Sequence, residues 1–514
     1  MRISHLVERA ARLSPGRLAL VDEGGGYTYA EMRRISRRIA NALLRDGYGP
    51  GSRFAVYSPN SAPAMLAILG GLLAGGVWCA VNLRNAVSDN ADILARGDCQ
   101  VIFHAAATAA EVEQICAAAP SVRTSICLDD LVEGAWLGDA PASLPQVRLD
   151  RSAVVFQGST GGTTGAPKIT MCGDDWLTMS ALAWATCLRY EAPPVNLAAT
   201  PITHAAGMMA LSHLVMGGTV VLMPRFEVGE LLRAIEAHRV TTVFLPPTII
   251  YMLLAHPELA TRDTSSLRYV LSSAAPIAPA KIAELMARLG PVFAQAWGQT
   301  ETGFPMTFIS PAEVEEALAE GPAAQRLLSC GRQTLVVEAL EVLGPDGDLL
   351  GPGQQGELVL RGPTVMQGYR ADPAATEEVQ RGGWHHTGDV GWRDEAGYVY
   401  ITDRLRDVII SGGFNLYPFE IEQVLLQHPQ VQDCAVIGVP DDIWGESVKA
   451  VVQARAGEQP SAEELIGFCR ERLGAMKAPK TVDLVDDLPR TPVGKVLKRE
   501  LRGRYWAGQT RNIH

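Results

Sequence analysis

The chain has 514 residues, of which 47% are hydrophobic and 20% charged, and its formal net charge is −11. This length is too great for a single core and predicts several domains, while the ordinary apolar content predicts a globular protein in water. The acidic balance argues against nucleic acid as a main partner, because phosphate backbones bind to basic faces.

The cysteines and the chain ends indicate in which cellular compartment the protein is expected. Nine cysteines are widely spaced with no CxxC pair, a pattern typical of reduced thiols that disfavours a disulfide scaffold or a zinc site. The first residues lack the apolar core of a signal peptide, and the last four are not a peroxisomal address. We therefore expect a cytoplasmic protein, and leave open whether it forms a homodimer.

The first predicted elements are a strand and a capped helix. Tyr27 lies in a short β-like run, and Thr28 precedes a helical pattern with Glu31 at capping-box spacing. Further along, the segment 62–81 carries no charge and is long enough to cross a bilayer. Because it contains Pro63 and four glycines, we expect a buried helix, a glycine turn and a core strand instead.

Strand-like and helix-like patterns then alternate through most of the chain. Apolar β-like runs lie at 54–57, 101–103, 220–223, 242–245, 269–271 and 358–360, and helical patterns at 228–238 and 280–289. This alternation predicts an α/β protein with largely parallel sheets. Turn-rich sequence at 351–353 and 394–397 predicts the hairpins of a small β-rich unit.

A domain boundary is predicted beside Asp403. After the charged run at 403–407, a strand, helix, strand pattern continues to the end of the chain. We therefore expect a large N-terminal domain over residues 1–403, built from layered, largely parallel sheets, helices and the small β-rich unit. A small α+β domain is expected over residues 404–514.

The most informative segment runs from Gly158 to Lys168, directly after a β-like run. Its glycines let backbone N–H groups approach an anion and its hydroxyls add donors, so a polyphosphate is the expected guest. It is not a Walker A loop, because Gly-Lys-Ser/Thr is missing, and a flexible linker is the alternative interpretation. The predicted nucleotide-binding residues here are Ser159, Thr160, Gly161, Gly162, Thr163, Thr164, Gly165 and Lys168.

This loop, ending in Thr-Gly-Ala-Pro-Lys, resembles the phosphate loop of the adenylate-forming superfamily, which contains acyl-CoA synthetases, peptide-synthetase adenylation domains and beetle luciferases. Segments in the same order extend the resemblance over about the whole chain: 296–303, 384–389, 403–407, 411–422 and 489–495. The resemblance implies an enzyme that uses ATP and Mg²⁺ to activate a carboxylic acid as an acyl-adenylate. It also implies a mobile small domain that then presents coenzyme A.

The resemblance assigns roles in the large domain. Thr300 would donate to the α-phosphate, and Glu301 would hold Mg²⁺, which prefers one or two carboxylates plus phosphate oxygens. Trp297, followed by Gly298, would pack against adenine. Asp389 would accept from both ribose hydroxyls.

Roles in the small domain follow in the same way. Arg404 would add a fixed positive charge near the ribose and phosphates, and Arg406 stands at the hinge position. Gly412 and Gly413 would line the tunnel of the thiol. Lys495 would bridge the substrate carboxylate and the α-phosphate as the main catalytic residue.

The acid is less well determined. The segment 201–207 aligns with the one that begins the family's acyl pocket, and its His204 is a catalytic candidate that would gate or line the carboxylate site, with a structural histidine as the alternative. No Asp lies between residues 200 and 222 to pair with an ammonium, so an amino acid is disfavoured as the substrate. At the family's Gly-Gly-Ala-Pro, the chain has Ser273 and Ala274 in place of the glycines, followed by Ala275 and Pro276. We count Ala274, Ala275 and Pro276 among the cofactor-binding residues. The added bulk favours an aromatic, alicyclic or medium-chain monocarboxylic acid.

Several alternatives stay open. The acceptor could be a carrier protein instead of coenzyme A, the enzyme could be a luciferase-like oxygenase, or the chain could be a non-catalytic nucleotide-binding module. The neighbouring His385 and His386 suggest a metal site, but adjacent residues of a strand point to opposite faces, so none is expected there. Four cations follow Lys495, and we expect either contacts with coenzyme A phosphates or a solvated basic face: Lys498, Arg499, Arg502 and Arg504.

Overall fold

The computed structural model describes residues 2–131, 134–150, 152–160, 167–321, 324–412, 414–441, 443–490 and 496–506. Its α-helices are α1 (Ile3–Leu13), α2 (Tyr29–Arg45), α3 (Ala62–Leu73), α4 (Val87–Gly97), α5 (Ala109–Ala118), α6 (Asp174–Cys187), α7 (Ala205–Val215), α8 (Val228–His238), α9 (Pro247–Ala255), α10 (Pro279–Leu289), α11 (Pro311–Glu320), α12 (Pro373–Val379), α13 (Pro418–Leu425), α14 (Ala462–Lys477) and α15 (Lys498–Gly503). Short 3-10 helices lie at Ala106–Thr108, Pro257–Ala260, Gln325–Leu328 and Leu405–Asp407.

The strands alternate with these helices. They are β1 (Leu18–Asp22), β2 (Gly25–Thr28), β3 (Arg53–Tyr57), β4 (Val77–Cys79), β5 (Val101–His104), β6 (Thr124–Cys127), β7 (Val154–Gln157), β8 (Ser159–Thr160), β9 (Lys168–Gly173), β10 (Val195–Ala198), β11 (Thr219–Leu222), β12 (Thr242–Phe244), β13 (Tyr269–Ser272), β14 (Phe293–Gln299), β15 (Gly303–Ile309), β16 (Arg332–Gln333), β17 (Ala339–Leu343), β18 (Gly356–Arg361), β19 (Gly368–Tyr369), β20 (Gln380–Arg381), β21 (Trp384–Arg393), β22 (Val399–Arg404), β23 (Ile409–Ser411), β24 (Phe414–Leu416), β25 (Val431–Asp441), β26 (Gly445–Ala454) and β27 (Thr481–Val485).

Two large sheets carry most of these strands. One has the order β16-β15-β14-β13-β12-β10-β11-β1-β2, and its interior pairs from β1 through β14 are parallel. The other has the order β19-β9-β7-β4-β3-β5-β6, with β8 on β9, and its pairs among β3 to β7 are parallel. The expected α/β class with largely parallel sheets is confirmed.

Two smaller sheets follow in the chain. Strands β17, β18, β20, β21 and β22 form an antiparallel sheet whose hairpins lie at the predicted turns. Strands β23 to β27 form the last sheet, with α13 and α14 between its strands. The chain passes from one sheet to the other between Arg404 and Ile409, and a domain boundary at 403/404, with a mobile small domain beyond it, stays a prediction.

The charge-free segment 62–81 is almost wholly buried. Helix α3 is buried along its length and is followed by a turn at Gly75 and by strand β4, as expected. A Cβ on Gly71 would lie 2.3 Å from the Phe54 ring, so glycine lets the helix pack directly on β3. None of the helices in the described ranges combines the length and apolar character needed to cross a membrane.

Candidate active site

The described ends of the predicted phosphate loop lie on two paired antiparallel strands, β8 and β9, here called the phosphate hairpin. Strand β7 runs into Gly158, whose backbone N–H donates to Thr170 Oγ1 at 3.0 Å, and Ser159 and Thr160 pair with the start of β9. Lys168 is the first residue of β9. The remaining predicted loop residues lie outside the described residues: Gly161, Gly162, Thr163, Thr164 and Gly165.

The hairpin lies against the turn that carries Thr300. A Cβ on Gly158 would come within 2.6 Å of Thr300 Cγ2, so the missing side chain permits this approach. The indole of Trp176 donates to the Thr300 carbonyl at 2.9 Å, and its ring stacks on Phe156 of β7 with centroids 4.7 Å apart. Two predicted motifs that are about 140 residues apart in the chain are therefore in contact.

Glu301 has a partner that the sequence did not indicate. Its Oε1 accepts from the Tyr369 hydroxyl at 3.0 Å, and its carbonyl accepts from the Met366 N–H at 2.7 Å. The Lys168 ammonium lies 5.1 Å from the centroid of the Tyr369 ring. Burial and the Glu301 carboxylate raise the pKa of Tyr369, so the phenol stays protonated as a donor. The short Gly-Tyr pair at 368–369 is too common to have signalled this role.

The carboxylate of Glu301 suits an ion that protein and substrate bind jointly, such as Mg²⁺. Within the described part of the chain, no cluster of three or more His, Cys, Asp or Glu side chains could hold a metal by itself. Mg²⁺ is bound by one or two carboxylates together with substrate phosphates and water, so a single glutamate beside a phosphate hairpin fits that ion. His386 is committed to Glu357 at 2.7 Å, while burial lowers the pKa of His385 to about 4.

Asp389 is held by three donors. It is 2% exposed, and its Oδ2 accepts from the Trp297 indole at 3.0 Å and from Gln299 Nε2 at 2.7 Å. Its Oδ1 lies 2.6 Å from Arg404 Nε. The structure thus brings Trp297, Arg404 and Asp389 together and adds Gln299, which sequence reasoning missed. The contacts of these residues with a nucleotide stay predictions.

The orientation of Trp297 bears on its proposed role. The side chain is 8% exposed and packs with Met306, Val337 and Leu358. Its described polar contact is with Asp389, so packing against adenine stays a prediction. Gly298 is required by the tight β14–β15 turn, because a Cβ there would lie 2.5 Å from the Gly303 carbonyl.

The loop before α7 carries His204. Asn60 donates from Nδ2 to the carbonyls of Ala198 and Thr200, both at 2.9 Å, and accepts from the Ile202 N–H at 2.9 Å. Asn60 therefore fixes this loop from the other large sheet, a role that the sequence did not reveal. His204 keeps exposed surface, yet the surrounding protein desolvates the imidazole and lowers its pKa.

A crevice that is open to solvent lies next to this loop. Its walls are the segments that follow β3, β4, β10 and β11, among them residues 58–60, 81–84, 199–201 and 223–224. Ligands of α/β proteins bind at the carboxyl ends of parallel strands, and here strands of both large sheets end at one place.

Ala274 has a strained backbone. It follows β13 with φ of 76°, a value that glycine adopts freely and alanine does not, and it is exposed together with Ala275 and Pro276. The structure gives these three residues no described contact with Asp389 or Glu301, so their part in binding stays a prediction.

Charged pairs tie the C-terminal helix to the predicted hinge. Lys498 lies 2.7 Å from Glu422, and Arg502 lies 2.8 Å from Asp407. Burial alone would lower the pKa of Lys498, but Glu422 and Asp403 raise it above its usual value. These two cations are therefore largely buried in ion pairs, so the expectation of a solvated basic face is wrong for them, while contact with coenzyme A phosphates stays a prediction. Burial lowers the pKa of Arg406 at the hinge position.

Gly412 lies beneath an exposed tryptophan. Its φ is 59°, its N–H donates to the Trp444 carbonyl at 2.8 Å, and a Cβ would lie 2.6 Å from the Trp444 ring. Only glycine fits this position without displacing the ring. Gly413 and Lys495 lie outside the described residues.

Comparisons with known proteins match almost the whole chain. Residues 7–370 match the AMP-binding enzyme family, and residues 420–495 match the AMP-binding enzyme C-terminal domain. A feruloyl-CoA synthase of Amycolatopsis is 38% identical over 97% of this chain and 98% of its own. A fatty acid–[acyl-carrier-protein] ligase, ScoC, of Streptomyces coeruleorubidus is 33% identical over 98% and 96%. The structure of the amide bond synthetase McbA from Marinactinospora thermotolerans superposes with a TM-score of 0.89 at 31% identity, over 98% of this chain and 100% of that one.

Proposed function

The chain belongs to the AMP-binding enzyme family, and from that premise we propose that it is an ATP-dependent acid:CoA ligase acting on a monocarboxylic acid. The resemblance to the adenylate-forming superfamily is thereby confirmed. The observation that carries the proposal is the contact of the phosphate hairpin with the Thr300–Glu301 turn, close to Tyr369 and Lys168. This arrangement brings hydrogen-bond donors, a lysine and a carboxylate to the place where a nucleoside triphosphate would be cleaved.

The first half-reaction joins the acid to AMP. The acid carboxylate attacks the α-phosphorus of ATP, an oxygen–phosphorus bond forms, and pyrophosphate leaves with the electrons of the broken bond. Asp389 would hold the ribose, Thr300 and the hairpin hydroxyls would donate to the phosphates, and Glu301 would hold Mg²⁺, which neutralises phosphate charge. Lys495 would stabilise charge on the attacked phosphate, since fixed charges aimed at the transition state contribute most to such catalysis.

The second half-reaction transfers the acyl group to a thiol. The resemblance implies rotation of the small domain about Arg406, so that Lys495 leaves and the Gly412–Gly413 segment arrives. The thiolate then attacks the acyl carbonyl and expels AMP. A carrier protein is the second candidate for the acceptor. The relative named as a fatty acid–[acyl-carrier-protein] ligase, which matches 98% of this chain, supports that candidate.

The acid we propose is aromatic, alicyclic or medium-chain. The relative named feruloyl-CoA synthase supports an aromatic acid. The Ala274 methyl group, held at a strained φ beside the predicted pocket, supports a compact acid over a straight long chain.

Pyrophosphate release from MgATP across a panel of carboxylic acids, with and without coenzyme A, tests this proposal. Acid-dependent release, with full turnover only when coenzyme A is added, is the expected result. Turnover only with a carrier protein would favour the second candidate, and no release with any acid would leave a nucleotide-binding module.

Replacing Lys495 with alanine tests the two-step scheme. We expect adenylation to slow roughly 10²–10³-fold, as for loss of one preorganised donor. Thioester formation from supplied acyl-adenylate should be affected much less. Equal losses in both half-reactions would contradict the exchange of Lys495 for the glycine segment.

A further inference from the structure

Tyr369 lies in a segment that bridges two parts of the candidate site. The short strand β19 pairs with β9, so that Tyr369 lies opposite Thr170, two residues beyond Lys168. Just before it, the Met366 N–H donates to the Glu301 carbonyl at 2.7 Å, and the Arg370 N–H donates to the Ile169 carbonyl at 2.7 Å. Backbone hydrogen bonds thus fix this segment to the phosphate hairpin and to the Glu301 turn at once.

The side chain of Tyr369 repeats this bridge. Its hydroxyl donates to Glu301 Oε1 at 3.0 Å, and its ring lies 5.1 Å from the Lys168 ammonium. A phenol that donates to one carboxylate oxygen limits the rotation of that carboxylate and leaves the other oxygen for a cation. The face of an aromatic ring attracts an ammonium, so the same residue restrains the lysine of the hairpin.

Resting on the proposed function, we propose that Tyr369 is a positioning residue that aligns the Glu301 carboxylate for Mg²⁺ and the Lys168 ammonium for the departing pyrophosphate. Its hydroxyl acts on Mg²⁺ through the Glu301 carboxylate, and its ring acts on the Lys168 ammonium.

A purely structural role is the competing explanation, because Tyr369 is 7% exposed and packs in the largest apolar cluster. Tyr369→Phe separates the two, since it keeps the ring in the core and removes only the hydroxyl. Tyr400→Phe is the matched control. Tyr400 is 6% exposed, and its hydroxyl donates to Asp394 Oδ2 at 3.0 Å. This contact lies at the turn of the β21–β22 hairpin, whereas Asp389 pairs with Arg404 at the open end of the hairpin.

The measurement is binding by titration calorimetry: Mg²⁺ to the enzyme–ATP complex, and AMP to the metal-free enzyme. We expect Tyr369→Phe to weaken Mg²⁺ binding by roughly 10–100-fold, as for loss of a group that orients a metal ligand, and to leave AMP binding unchanged. Tyr400→Phe should change neither. Tyr369→Leu, which also removes the ring, should in addition weaken pyrophosphate binding.

Two results would overturn the inference. If wild type releases pyrophosphate in response to an acid but Tyr369→Phe binds Mg²⁺ as well as wild type does, Tyr369 has no positioning role. If Tyr369→Phe weakens Mg²⁺ and AMP binding equally, its effect is structural. A wild-type protein that fails to bind MgATP would instead refute the proposed function together with this inference.

Discussion

Trp297→Phe tests whether the indole positions the carboxylate of Asp389, the predicted ribose ligand. The substitution removes the N–H that donates to Asp389 Oδ2 at 3.0 Å. A hydrogen bond to a charged group contributes about 1.5–3 kcal/mol. Because Gln299 and Arg404 still hold the carboxylate, we take the lower end, about 1.5 kcal/mol. This hydrogen bond is also present without ligand, so roughly tenfold is the largest weakening of AMP binding that we expect from its loss.

Calorimetric titration with AMP measures this effect, and Trp184→Phe is the matched control. Trp184 is fully buried, and among the described residues nothing accepts from its indole N–H. The control removes the same atoms without breaking a hydrogen bond, so its affinity for AMP should equal that of wild type. Unchanged AMP binding in Trp297→Phe, or equal weakening in both variants, would refute the reasoning.

A second ligand separates ribose binding from adenine packing. AMP lacking both ribose hydroxyls should bind wild type and Trp297→Phe with similar affinities, because Asp389 then has nothing to accept from. If Trp297 acts by packing against adenine, the variant should instead lose the same factor with both ligands.

The remaining predictions concern stability. Ala274→Gly should stabilise the protein by about 0.5–1 kcal/mol in thermal or urea unfolding, because relief of left-handed strain exceeds the entropy that glycine adds. It should also widen the range of acids that release pyrophosphate, whereas a less stable variant with the same range would contradict the strain argument. Burial lowers the pKa of His213 and of His385 to about 4. Both imidazoles stay neutral in the folded protein, whereas in the unfolded chain they take up protons below about pH 6.5. The free energy of unfolding therefore falls from about pH 6.5 down to about pH 4, by about 1.4 kcal/mol per pH unit for each histidine. In urea titrations, His385→Asn should remove one such contribution, and an unchanged pH slope would show that His385 is protonated in the folded state.

Local patterns predicted many elements well. The helix expected at 228–238 is α8 (Val228–His238), and Thr28 and Glu31 form the predicted capping box. These elements follow from neighbours within a few residues, whose periodicity and hydrogen-bonding chemistry are present in the sequence itself.

Contacts between distant segments were not predictable in the same way. Tyr369 meets Glu301 across 68 residues, and Gln299 meets Asp389 across 90. Lys498 was expected on a solvated or phosphate-binding face and is instead paired with Glu422 inside the protein. A polar side chain shows its chemistry in the sequence, but its partner depends on which strands and helices pack together.

By itself, the sequence determined the α/β class, the chemistry of a glycine- and hydroxyl-rich loop, and the set of motifs that resemble one enzyme superfamily. Glycine spacing and hydrophobic periodicity are local properties, so they can be read before the chain is folded. Only the tertiary structure decided that Tyr369 joins the hairpin to Glu301, that Trp297 and Gln299 hold Asp389, and that Asn60 fixes the His204 loop. Those contacts join residues far apart in the chain, and only the packing of the sheets brings them within hydrogen-bonding distance.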